Sequence, residues 1–503
     1  NAEITAVASG TLPSGQPVIV NSDGTVSVVA GSNISSSLGS ETVFETSIAG
    51  FIGASYDSNS NRVVFAYKDE GNSAYGTAVV GTISGTSISF GTPVVYASVN
   101  MDFPTCAFDS SNNKVVVGYN DNSASLGKAI VGTVSGTSIS FGSATSFPDG
   151  NNKTYISSVF DSNSNKVVFA YKDSASSSRG KAAVATVSGT SLSFGSAGTF
   201  LNTTGNGPKN MCMAFDSVNN KVVLAFQDRD DSNKAKGIVG TVSGTNISFG
   251  SISEIPSSSA EIAEDGMGGI AYDVNSEKIV VVYRASSVSN YGRVSVGTVS
   301  GTSISFASAY TMGPGAQTPK IVYNPTAKKV VVVVEGGSQN NLYEGVVSGD
   351  TVTFSSPLAY VSSSPRALSN PVYASTSDKV VIGYQADNNN GTSAVYQTAY
   401  TSTNLTSENY IGMSGGVVKE VAASYGSVVQ YTSSNTDASD VAYDTSNNRI
   451  VVTYADSSDS TGKAVVGTVD SSDNSITFGT PVTFNSGATN WTAVAFDSNS
   501  NKV

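Results

Sequence analysis

The chain has 503 residues, of which only 13% are charged, about half the usual share, so its polar surface is built of hydroxyls and amides rather than ions. With 26 basic against 38 acidic residues, a net charge of −12 and no basic run, the attraction that drives binding to nucleic acid or to an anionic membrane is missing. No apolar stretch reaches the roughly 18 residues of a membrane-spanning helix, so neither nucleic acid nor membrane insertion is expected.

The opening segment, 1–40, carries one clear extended stretch, Thr25-Val26-Ser27-Val28-Val29. A phrase then begins to recur: an aromatic, an acid and a polar turn, as in Tyr56-Asp57-Ser58-Asn59-Ser60-Asn61-Arg62 and Phe160-Asp161-Ser162-Asn163-Ser164-Asn165-Lys166. Further copies centre on Asp109, Asp216, Asp273, Asn324, Ala374, Asp444 and Asp497. Their spacing of about fifty residues, with one longer gap before Asp444, marks a repeat architecture.

Each repeat reads as four extended segments. In the first copy these are 53–56, 63–67, 77–83 and 87–90. Asp and Asn side chains between the first two bond their own backbone and close a tight turn. Ser84-Gly85 joins the last two, where glycine accepts the positive φ of a short hairpin, and the same pair returns at Ser135-Gly136, Ser188-Gly189, Ser243-Gly244, Ser300-Gly301 and Ser348-Gly349. The second segment is apolar throughout, as in Val330 to Val334, and a strand apolar on both faces must be covered on both. Radial stacking of sheets meets that need. The expected fold is all-β: a seven-bladed β-propeller of four-stranded blades over 41–401, a connector over 402–431, and the first blades of a second, truncated propeller over 432–503. The seventh copy lacks its fourth segment, and the stretch around Val26 is predicted to supply it, pairing with 393–401 and closing the ring. Asn1 at one end and a phrase cut short at Val503 at the other imply a piece of a longer product.

Chemistry is sparse. There is no histidine, which removes Ser-His-Asp and Cys-His catalysis. A sialidase-like site would bring Ser-x-Asp-x-Gly-x-Thr-Trp boxes, but the single tryptophan is Trp491, so no enzymatic activity and no catalytic residue is expected. Cys106 and Cys212 differ in phase and are read as small apolar residues rather than a disulfide. The Asp57, Asn59, Asn61 run imitates the opening of a calcium loop but lacks its glycine and distal glutamate. A turn is preferred there, and no cofactor or metal is expected.

The connections after the second segments vary from repeat to repeat, and loops on a rigid scaffold commonly carry recognition. That face begins with Lys68-Asp69, Asn120-Asp121, Lys172-Asp173, Gln227-Asp228, Arg284 and Gln385, with Tyr75, Tyr291 and Tyr343 further along. Rings beside amides and carboxylates suit sugars, and these residues are the candidate ligand-binding set.

The units Val-Gly-Thr-Val-Ser-Gly-Thr-Ser-Ile-Ser-Phe-Gly and Tyr-Asp-Ser-Asn-Ser-Asn-Lys-Val-Val resemble propeller repeats in virion fibre and adhesin-like proteins of tailed phages, especially those of marine bacteria. The segment around Ala8 to Val26 and the connector Leu405-Thr406-Ser407-Glu408-Asn409-Tyr410-Ile411-Gly412 are similar to segments that accompany those repeats. The resemblance implies an extracellular component of the virion surface, homo-oligomeric within a fibre, assembled with other virion proteins and touching a host surface glycan or receptor. A purely architectural spacer and a secreted cellular lectin or glycan-active enzyme are the alternatives.

Overall fold

The computed structural model describes residues 32–402 except 151, 175–177, 257–261, 286–290, 314–318, 335–339, 362–365 and 367, the strands at 7–8, 18–20 and 25–28, and 429–503 except 445–446, 448, 471–474 and 498–501. Among these the one helical element is a 3₁₀ turn, Glu70–Asn72. The chain divides into two compact units, Ser32–Ser402 and the combination of Asn1–Gly31 with Thr403–Val503.

In the first unit each repeat folds as an antiparallel meander. Thr42–Asp57, Arg62–Asp69, Tyr75–Ser84 and Ser87–Phe90 pair in that order, and the order recurs from Met101–Asp109, Lys153–Asp161, Pro208–Asp216, Ile262–Asp273 and Lys320–Asn324. The polar turn closes as the sequence predicts. Asp57 Oδ1 accepts from the N–H groups of Asn59 at 2.9 Å and Ser60 at 3.0 Å, and Asn61 takes φ 56°. Asp109, Asp161, Asp216 and Asp273 make the same pair of bonds.

A fifth strand was not expected. The third strand, ten residues in Tyr75–Ser84, is longer than its hairpin partner, and its leading half needs hydrogen bonds of its own. Val94–Ala97 supplies them, as Thr145–Ser146, Gly198–Leu201, Ser253–Glu254, Tyr310–Gly313 and Leu358–Ala359 do later. The fifth strand also lays an aromatic ring on a glycine of the third. A Cβ on Gly180 would stand 2.4 Å from the Phe200 ring, so only glycine fits beneath it.

The second strands show why the sheets must stack. Val63, Val64, Phe65, Ala66 and Tyr67 are all fully buried. Side chains alternate across a strand, so Val64 and Ala66 pack with Val115 and Val117 of the following sheet, whereas Val63, Phe65 and Tyr67 pack with Ala374, Val381 and Val395. Similar cores join each sheet to the next, and the first strands touch in succession, with Val372–Ala374 meeting Thr42–Asp57 again. This closed circuit of four-stranded antiparallel sheets is a β-propeller fold.

The closing segment differs from the expectation. Thr25–Val28 pairs parallel with Val7–Ala8 and antiparallel with Val18–Val20, not with 393–401. Asn390–Gln397 instead takes Ser37–Leu38 opposite Tyr396 and Gln397, and the leading part of Thr42–Asp57 opposite 390–393. Ser32–Ile34 pairs with Tyr400–Ser402. Leu38 thereby occupies the place that Phe90 holds opposite Gly81 in the first sheet, and the N–H of Gly39 bonds Val395 O as that of Gly91 bonds Val80 O. On the turn side, Thr376 Oγ1 bonds Asn61 Oδ1 and its N–H reaches the Tyr56 hydroxyl.

In the second unit Thr436–Asp444, Arg449–Asp456, Thr461–Asp470 and Ser475–Phe478 form one more meander, with Val482–Asn485 as its fifth strand. The predicted connector falls largely on 403–428, outside the described residues.

Candidate functional site

The first strand of a repeat runs opposite the end of the second, and its opening is bulged. Gly50 pairs Lys68 and Gly53 pairs Ala66, so Phe51 and Ile52 together face Tyr67. The same two-against-one step puts Phe103-Pro104 opposite Tyr119, Tyr155-Ile156 opposite Tyr171, and Asn210-Met211 opposite Phe226. A bulge re-aims the side chain it carries. Here the first bulged residue enters the left-handed region, with φ 45° at Phe51, 55° at Phe103, 54° at Tyr155 and 50° at Asn210. For bulky side chains that conformation is strained.

The result is a row of rings. Phe51 and Phe103 lie 5.2 Å apart between centroids, and Phe103 and Tyr155 5.1 Å. Each pair is tilted, within the range aromatic rings favour. Cations cap both ends: Lys68 Nζ lies 5.9 Å from the Phe51 centroid and Lys209 Nζ 5.7 Å from that of Tyr155. Phe51 is 45% exposed, uncommon for phenylalanine on a strand. Gly50, Phe51, Phe103, Pro104, Ile156 and Leu368 line an open cavity of about 400 Å³. Contributions from three consecutive sheets and from the last one place this cavity where the first strands converge.

The predicted residues lie at the same end of the sheets but divide into two groups. The acids closing the second strands turn inward. Asp121 bonds Lys128 at 2.8 Å and the N–H of Ala124 at 2.9 Å. Burial opposes its ionisation, and the lysine and the N–H outweigh that, holding the carboxyl below its ordinary range. Asp173 sits between Lys153 at 2.9 Å and Lys181 at 3.0 Å, and both pull its pKa down against burial. Asp228 meets Lys236 at 2.8 Å. Asp69 has Thr77 where the others have lysine; burial, with Glu45 adding to it, raises its pKa, and it caps the 3₁₀ turn through Asn72 N–H. Asn120 is buried and accepts from the N–H of Lys153 in the next sheet at 3.1 Å. Tyr343 is a core residue, 6.0 Å from the Phe354 ring. Tyr75 pairs Asp69 across its turn, Arg284 is half-buried opposite Gly292, and Gln385 bonds Asn389. The side chain of Tyr291 lies outside the described residues.

Lys68, Lys172 and Gln227 border the row of rings. Lys68 bonds Asp102 at 2.9 Å and Glu70 at 3.1 Å. Gln227 lines a second cavity, about 170 Å³, with Lys209, Arg229 and Asn233. Burial lowers the pKa of Lys172, the charge of Arg229 adds to this, and Asp230 opposes it. Both thiols are free, with Cys212 buried, and burial pushes Cys106 and Cys212 up to about 12.

The residues singled out from the sequence lie at this end of the sheets, and the rings are not among them. No family model and no curated protein matches the chain. Among solved structures it is similar to the polysaccharide lyase Uly1, at 8% identity and a TM-score of 0.45 over 72% of this chain and 99% of that one. NanB with Optactamide is similar at 12% identity, TM-score 0.43, over 73% and 71%. A leech intramolecular trans-sialidase with 2,7-anhydro-Neu5Ac is similar at 8% identity, TM-score 0.41, over 72% and 70%. The expectation that the chain has no enzymatic activity is corrected by these neighbours. It rested on a missing histidine and a missing box motif, which rule out particular mechanisms and not catalysis as such, since paired carboxylates cleave glycosides without histidine.

Proposed function

We propose that the chain is a glycan-binding propeller module of a phage virion fibre, engaging a host surface glycan at the Phe51, Phe103 and Tyr155 row. In this reading Ser32–Ser402 is a seven-bladed propeller, and the meander from Thr436 opens a second one. The observation that carries the binding function is the row itself: rings at matching positions of three successive repeats, in a conformation bulky residues avoid. Such a surface stacks the apolar faces of pyranose rings, while Lys68 and Gln227 at its border bond hydroxyls. The virion setting, extracellular and homo-oligomeric, rests on the likeness of the repeat units to fibre and adhesin-like proteins. A glycan array probed with the 503-residue chain, then with Phe103→Ala, tests the binding. Truncation removes the middle stacking face of the row, worth about 0.5–1.5 kcal/mol, so binding falls roughly two- to tenfold. A wild-type chain that binds no glycan supports the spacer reading instead. Immunogold labelling of purified particles tests the setting, and unlabelled virions refute it.

A further inference from the structure

The bulges that turn the rings outward also build the wall behind them. Each sets two residues opposite one. The first carries a ring of the row; the second is Ile52, Pro104 or Ile156, buried in each case and bordering the cavity of about 400 Å³. Leu368 of the last sheet, also buried, joins them, and the exposed Phe51 and half-buried Phe103 stand at the opening. Gly50 completes the lining, so no side chain that borders the cavity carries a hydrogen-bonding group.

The polar groups beside the row lie outside it. Lys68 faces Phe51 from 5.9 Å and is held by Asp102 at 2.9 Å and Glu70 at 3.1 Å, and none of the three borders the cavity. This division constrains the ligand. A hydroxyl pressed against such walls gives up its hydrogen bonds to water and finds no side-chain partner, whereas a methyl group gains by leaving water. A water molecule takes up about 30 Å³ of liquid, so the cavity has room for one edge of a pyranose with its substituent. A plain hexose, hydroxylated along its edges, fits these walls badly.

Resting on the glycan-binding reading, we propose that this cavity is a methyl subsite: a pyranose stacks on Phe51 and Phe103 and inserts a methyl group toward Ile52, Ile156 and Leu368. The methyl belongs either to a 6-deoxysugar or to an N-acetyl group, whose amide stays at the mouth. The ligand class is therefore a glycan bearing methyl-substituted residues, read by what its buried edge lacks rather than by hydrogen bonds.

Three matched pairs test this with the 503-residue chain on a biosensor, every sugar displayed on the same linker: L-rhamnose and L-mannose, L-fucose and L-galactose, N-acetyl- and N-glycolylglucosamine. In each pair the second member carries a hydroxymethyl group where the first has a methyl. At least one methyl member is expected to bind about tenfold more tightly than its partner, from the burial gained and the unpaired hydroxyl avoided, and the pair that shows the gap identifies the source of the methyl. Ile156→Thr, with an unchanged circular dichroism spectrum, gives the wall a hydroxyl and is expected to narrow that gap; Leu368→Asn makes the same test from the opposite sheet should the first variant fail to fold. Equal binding within every pair, a gap that both variants leave unchanged, or glycan-array hits confined to sugars without a methyl group overturns the methyl subsite and leaves glycan binding intact. A blank array sinks both.

Discussion

Gly383→Ala probes the joint that shuts the circuit. The Phe65 ring of the first sheet lies over Gly383 of the last, and a Cβ there would stand 2.5 Å from Phe65 Cε1 and 3.0 Å from its Cδ1 and Cζ. Phe65 has little room to retreat, with Phe44 stacked at 5.0 Å and Phe90 at 6.0 Å. Overpacking of this kind costs about 1–3 kcal/mol. Gly118→Ala is an internal control, because its Cβ would stand 2.6 Å from Phe169 Cε1 between two consecutive sheets. Urea unfolding followed by tyrosine fluorescence is expected to show similar falls in midpoint for both variants, with unchanged slope. Adding Phe65→Leu to Gly383→Ala is expected to recover part of the loss through a coupling of about 0.5–3 kcal/mol. A harmless Gly383→Ala beside a costly Gly118→Ala would mean that the last sheet does not seat on the first and that the circuit is open.

Three other outcomes follow from the same geometry. Asp173→Asn leaves Lys153, whose side chain is fully buried, without its counterion and is expected to destabilise by about 3–5 kcal/mol, measured by the same unfolding assay. Asp121 and Asp173 have folded pKa values below their unfolded ones, so their contribution is complete above about pH 4 and is lost as pH falls through the depressed folded values; an acid titration of stability that stays flat below pH 4 contradicts these pairs. Asp69 runs the other way, since its raised pKa favours the folded state more as pH falls. Thr77→Lys would install the partner that Lys128 and Lys181 provide to Asp121 and Asp173, with an expected gain of about 1–2 kcal/mol at pH 7 and none at pH 3; a gain at pH 3 as well would point to packing.

The repeat frame was legible because its parts are local. The Asp57 to Asn61 turn needs only its own side chains, and the run Val330 to Val334 has no solvent face to offer, so stacking on both sides follows. The closing strand was misassigned because Thr25 to Val28 copies the alternation of the fourth segments, while Ser37-Leu38 does not; what selects Leu38 is its place beside Tyr396, a tertiary fact. The inward acids could have been read from the lysines at 128, 181 and 236, which recur in the facing strand. The rings were hidden by their setting. An aromatic near the start of an inner strand reads as core, and only the bulge turns it outward. Aligning the repeats on Asp57, Asp109 and Asp161 does place Phe51, Phe103 and Tyr155 in one column, which is the signal that was present.

Because Ser32–Ile34 waits for Tyr400–Ser402, the protein cannot complete itself until almost its whole first unit has left the ribosome. At translation speeds of about 5–20 residues per second, that interval is on the order of tens of seconds. Throughout it the strand beginning at Thr42 offers an unsatisfied edge, and contacts so distant in sequence form slowly. Nascent chains therefore need that edge shielded, by a chaperone or by low crowding, and a yield that depends on synthesis rate is the expected cost of fastening this unit by its two ends.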